Sequence, residues 1–178
     1  MQNPRFNGTN ERSIFKMKDA WEQNPYRDEP IVKFFRELDK VKDDQRSLVL
    51  VTNGILELLV ETLVKSKCKN QKRFLQDGRG YPYSAKLLIL HEIHAISDET
   101  FMAFDWFRKI RNDAAHKPFF AVTADTLKKL KDANLKDPKN LYLLCVTLIG
   151  QLWNQNIDTF GPVFSPNMTK SQIDKGSA

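Results

Sequence analysis

The stretch that most limits what this chain can become is residues 43–67, DDQRSLVLVTNGILELLVETLVKSK. Asp43 or Asp44 can start a helix there, because a short acidic side chain accepts a hydrogen bond from an otherwise orphaned backbone N–H. The residues after that start are apolar over most of a helical circumference, so the helix belongs at the centre of a domain. Its polar stripe is Asn53, Glu57 and Glu61, spaced four apart. Gly54 costs about 1 kcal/mol against alanine inside a helix, and a close helix crossing is one reason to keep it.

Helical signals recur along the rest of the chain. Ile31, Phe34, Phe35 and Leu38 form the inward face of a helix over 31–40. Ser84 can cap a helix over 84–97, with Leu87, Leu88, Leu90 and Ile93 as its apolar set. Thr123 or Asp125 can start an amphipathic helix over 123–136, and Pro138 opens a last core helix. No strand pattern, internal repeat or helix-turn-helix spacing is present. The expected fold is all-α: a single-domain bundle of about five to seven helices over 31–157. Residues 1–30 form an N-terminal extension, with a short helix over 11–23 carrying Ile14, Phe15 and Trp21. Residues 158–178, with Gly, two Pro and few apolar side chains, are expected to be a flexible tail.

At 178 residues, 41% apolar and 28% charged, the chain suits one soluble domain with its own core. The formal charge of +6 favours a nucleic-acid partner only if it is gathered on one surface. The segment 65–83, KSKCKNQKRFLQDGRGYPY, interleaves cations with Phe74, Tyr81 and Tyr83. It reads as an irregular, solvated connection whose aromatics tuck onto the bundle. Gly78 and Gly80 do not fit a phosphate-binding loop, which needs GxxxxGK[ST]. Cys68 and Cys145 form no CxxC pair, which argues against a zinc site or a disulfide framework. With no signal peptide, this points to the cytoplasm. The longest apolar run, 141–149, is too short for a bilayer, which needs about 20 residues, so no membrane partner is expected. His91 and His94 lie three apart but lack HExxH or further ligands. They are read as surface or packing residues, and no metal or cofactor is expected.

Residues 97–118, SDETFMAFDWFRKIRNDAAHKP, carry the chemistry-bearing side chains. Ser97 or Asp98 caps the start, Asp98 and Glu99 suit the positive end of the helix dipole, and Pro118 ends the helix. Ala103, Phe107, Ile110 and Ala114 make the apolar face, while Asp105, Arg108, Lys109, Asn112 and His116 share a polar side. Arg111 falls between Phe107 and Ala114 on one flank and Phe104 on the other, and should be partly buried. A guanidinium there needs a carboxylate, a phosphate or several carbonyls. Glu57 and Glu61 are the first internal partners to consider, then Asp44. On that reading Arg111 clamps the two central helices, and Arg111→Ala costs about 3–5 kcal/mol by stranding a buried acid. Asn112 and His116 then cap the helix end through backbone carbonyls.

Two stretches, LDKVKDDQRSLVLVTNGILELLVETL and SAKLLILHEIHAISDETFMAFDWFRKIRNDAAH, resemble the MltR family, named for the mannitol operon repressor. The shared features are Asp43, Asp44 and Arg46 before a long apolar helix, a Ser-Ala-Lys helix start, and the R-K-I-R-N-x-x-A-H string. The resemblance spans about residues 31–120 and implies a regulatory protein, repressor-like, acting through a ligand or protein partner without a DNA-reading motif of its own. Arg111, Asn112 and His116 are also similar to the Arg-x(4–6)-His signature of the wider HEPN superfamily. That likeness implies a helical homodimer and, as the alternative function, a metal-independent endoribonuclease of toxin or defence type acting on RNA. His116 would then move a proton at the ribose 2′-hydroxyl or the leaving oxygen, Arg111 would stabilise charge on the phosphate, and Asn112 would orient either. Lys117-Pro118 stands where some toxin members have a tyrosine. Residues five apart on a straight helix point about 140° away from each other, so Arg111 and His116 can share a phosphate only if the helix loosens or two subunits contribute.

Overall fold

A computed structural model describes residues 30–164 apart from 129, 131 and 132. The described residues contain no strand and form eight α-helices: α1 (Pro30–Lys40), α2 (Gln45–Lys67), α3 (Gln71–Gln76), α4 (Tyr83–Glu92), α5 (Asp98–His116), α6 (Ala124–Leu127), α7 (Leu141–Gln155) and α8 (Ile157–Phe164). Two 3-10 turns, Ala133–Lys136 and Pro138–Asn140, lead into α7. The all-helical bundle is as the periodicity requires. The expected short helix at 11–23 and the end of the tail lie outside the described residues.

The axis of the bundle is α2, which packs against α5, α7, α4, α3, α1 and α8. Asp44 caps it by accepting a hydrogen bond from the Ser47 N–H at 2.6 Å. Leu56, Leu59, Val60 and Leu63 are fully buried at its centre, and each such side chain contributes about 2 kcal/mol through removal from water. Among the described residues, α2 is the one helix long and apolar enough by length and composition to cross a membrane. The run at 141–149 is therefore the wrong stretch for that test. Core position accounts for the apolarity, since 61% of the apolar window is buried inside the bundle.

Several local expectations are corrected. Gly54 does not sit at a crossing: it is exposed, and a Cβ there would meet nothing within 4 Å. The connection 65–83 is not wholly irregular, because α3 forms within it and Phe74 packs edge-to-face on Tyr81 at 4.9 Å. Ser84 lies inside α4, whose N-cap is Pro82. That helix stops at Glu92, earlier than expected, where His94 takes a left-handed φ of 57°. The His94 N–H then reaches the His91 carbonyl and the Ala95 N–H the Leu90 carbonyl, closing the end as a Schellman turn does. Among the described residues, the amphipathic stretch from Thr123 gives the single turn α6, opened by a Thr123–Thr126 capping box, and the 3-10 turn at 133–136.

The chain also stays helical from Asp158 to Phe164, against the first part of the expected tail. Gly161 and Pro162 are poor helix formers, yet α8 forms because aromatic burial outweighs propensity. Phe160 is fully buried and stacks on Trp153 at 5.3 Å, while Phe164 meets Phe34 edge-on at 5.8 Å.

Candidate functional site

Helix α5 is built as its sequence signals demand. The Ser97 hydroxyl accepts a hydrogen bond from the Thr100 N–H, and Phe104, Phe107, Ile110 and Ala114 form the buried face. Helical geometry runs unbroken to His116. Arg111 and His116 therefore project about 140° apart, and one chain cannot aim both at one phosphate. His116 is exposed. Asn112 shares its face but turns its side-chain oxygen toward Arg111, accepting a hydrogen bond from the guanidinium at 3.3 Å.

Arg111 is half-buried along the Phe104–Ala114 edge, as its position predicts, but among the described residues it reaches no carboxylate. Two of the three expected partners, Asp44 and Glu61, are engaged elsewhere, and the third lies beside another element. Asp44 caps α2, and the hydrogen bonds from Ser47 hold its carboxyl below the ordinary range. Glu61 accepts a hydrogen bond from the Lys86 ammonium at 2.6 Å. Glu57 lies near the Tyr83 hydroxyl, which is pushed upward first by burial and then by that carboxylate, with Arg108 opposing. The stripe Asn53, Glu57, Glu61 thus faces α4 and the Arg108 flank of α5. An offset of one helical flank is enough to deny Arg111 its acid, so the Arg111 clamp is not formed.

The clamp belongs to Arg46. From the first turn of α2 its guanidinium donates to the carbonyls of Ala114 at 2.6 Å, Lys117 at 2.7 Å and Pro118 at 2.9 Å. The same group lies 5.7 Å from the centroid of the Phe120 ring. The neighbouring Gln45 side-chain oxygen accepts a hydrogen bond from the Val122 N–H at 2.9 Å. Helix ends leave carbonyls without intrahelical partners, and a cation suits that negative end. Arg46, not Asn112 or His116, closes α5. The sequence carried only part of a signal for this: no acid follows Arg46 on α2 before Glu57, but Asp43 and Asp44 just before it offer local oxygens, so spacing does not choose between them and another element.

Sequence reasoning also missed a polar seam between α2, α4 and α5. Lys86 is buried and paired with Glu61, whose side chain is 33% exposed. Asp105 receives Arg108 at 2.7 Å and Lys109 at 2.7 Å, and these cations, Lys109 foremost, hold its carboxyl below the ordinary range. Among the described residues, the Asn53 side-chain oxygen and the Tyr83 hydroxyl are buried without a hydrogen-bond partner. His91 stacks on Phe101 at 4.6 Å and meets Asp98 at 2.8 Å, a packing role as expected. Among the described residues no three His, Cys, Asp or Glu side chains gather where they could hold a metal.

No protein-family model, no curated protein and no solved structure matches the chain.

Proposed function

We propose that this chain is a regulatory interaction protein, repressor-like as its resemblance to the MltR family implies. On this proposal it works in the cytoplasm as a homodimer and affects transcription through a ligand or protein partner, without a DNA-reading motif of its own. The observation that carries the reading is the unbroken helix to His116, which separates the two residues a nuclease would bring to one phosphate. The tie between Arg46 and the end of α5 supports it further, because that part of the motif is already bound to the protein's own backbone. The test is prolonged incubation of the purified chain with RNA. Intact RNA, unchanged by His116→Ala, is expected. Cleavage abolished by His116→Ala overturns the reading.

One observation favours a second reading. The His116 side chain is exposed and, among the described residues, makes no hydrogen bond, so it is open to exchange a proton with a substrate. In a homodimer, His116 of one copy and Arg111 of another could flank the same RNA phosphate, with the 2′-hydroxyl as nucleophile. The two single variants, Arg111→Ala and His116→Ala, would each be inactive, and mixing them would restore part of the activity. Inactivity of both singles and of the mixture, beside an inactive parent, removes this reading.

A further inference from the structure

We infer that the far end of α2, with α3 and the turn after it, is a docking surface for the sugar-phosphate backbone of a nucleic acid. Residues 65–83 hold Lys65, Lys67, Lys69, Lys72, Arg73 and Arg79 against Asp77 alone. Six cations less one acid leave +5 of the chain's formal +6 within this segment. The charge is gathered in one short segment at one end of α2, a concentration that suits a backbone-binding protein.

All six cations are exposed, and among the described residues none is ion-paired. Several cations elsewhere on the surface differ. Lys40, Lys42, Lys109, Lys117 and Lys128 each hold an acid three or four residues away. The only acid in the basic segment is committed locally, since Asp77 accepts a hydrogen bond from the Gly80 N–H at 2.8 Å. A row of cations without acids or apolar anchors matches a chain of single negative charges. Among the described residues, no exposed large apolar side chain lies in the segment, which disfavours a membrane surface or an acidic protein, both of which would add apolar contact.

The mode of binding is set by the rings. Phe74 and Tyr81 are half-buried and packed on each other at 4.9 Å, so they offer little face to a base. Contact is with phosphates, which fix position without reading sequence. This fits a protein with no recognition helix. It is independent of the Arg111–His116 segment: the α2 axis sets Arg46 and Lys67 about 30 Å apart.

The experiment is fluorescence polarisation of the full chain with labelled single-stranded RNA and with DNA of the same sequence. Both should bind, within a few-fold of each other, and affinity should fall steeply between about 50 and 200 mM salt. Changing Lys69, Lys72 and Arg73 together to alanine should weaken binding at least about tenfold and lower the salt slope by about 2. The pair Lys65→Ala with Lys67→Ala gives a second, independent loss, and circular dichroism checks that both variants fold. Lys40→Ala with Lys128→Ala should bind as the parent does. The inference is overturned if neither oligonucleotide binds at low salt, if both basic-segment variants bind as the parent does, or if only anionic-lipid vesicles or an acidic peptide are bound.

Discussion

The two ends of α2 use the same kind of side chain in opposite ways. At the N-terminal end Arg46 meets three carbonyls and an aromatic ring, and its neighbour Gln45 meets a backbone N–H. That end is stitched to the segment 114–122. At the C-terminal end Lys65 and Lys67 begin a run of cations that meets no acid among the described residues. Lys65 and Lys67 suit the negative end of the helix dipole, but a dipole does not neutralise six charges. Cations at one end hold the fold together; at the other they stay exposed, with no acid beside them among the described residues. Lys86, between the two ends, shows the internal extreme: a buried ammonium tied to Glu61.

The largest test of this contrast is Glu61→Ala. It strands the Lys86 ammonium, whose side chain is 6% exposed, and should cost about 3 kcal/mol in urea denaturation. A loss near zero would mean that the pair is solvated in effect. Next is Arg46→Ala, which leaves the carbonyls at the end of α5 without their charged donor and should cost about 2–3 kcal/mol. Arg46→Lys recovers only part of it, since an ammonium lacks the planar fork that reaches three oxygens. Arg111→Ala strands no acid and should cost less than Arg46→Ala; the reverse order would restore the clamp to Arg111. Gly54→Ala meets open space and should stabilise the chain by about 1 kcal/mol, a rise visible in the thermal midpoint. The smallest effect belongs to the basic end: alanine at Lys69, Lys72 and Arg73 should shift stability by less than about 0.5 kcal/mol. A larger loss would make those cations structural and erase the difference between the two ends.

Much of the fold was legible because burial tracks periodicity. The central position of α2, the start and stop of α5, and the apolar faces of α1 and α7 all come from side chains repeating at helical spacing. Propensity misled at 158–164, where Gly161 and Pro162 suggested a tail and Phe160 found a slot beside Trp153. It misled again after Thr123, where an amphipathic pattern gave, among the described residues, one α-helical turn and one 3-10 turn. The site was less legible. That Arg111 would be half-buried could be read from its place on the helix; which oxygen it would reach could not.

The sequence by itself determined that the chain is helical, that α2 is its axis and that the excess charge falls in one segment. These are local quantities, fixed by the order of residues along a helix or a short stretch of chain. Only the tertiary structure decided which cation closes α5, which acid meets Lys86, and that Arg111 meets no acid among the described residues. Such pairings depend on the rotation and offset of one helix against another. A shift of one helical flank changes the partner, and no spacing within a single element records that shift.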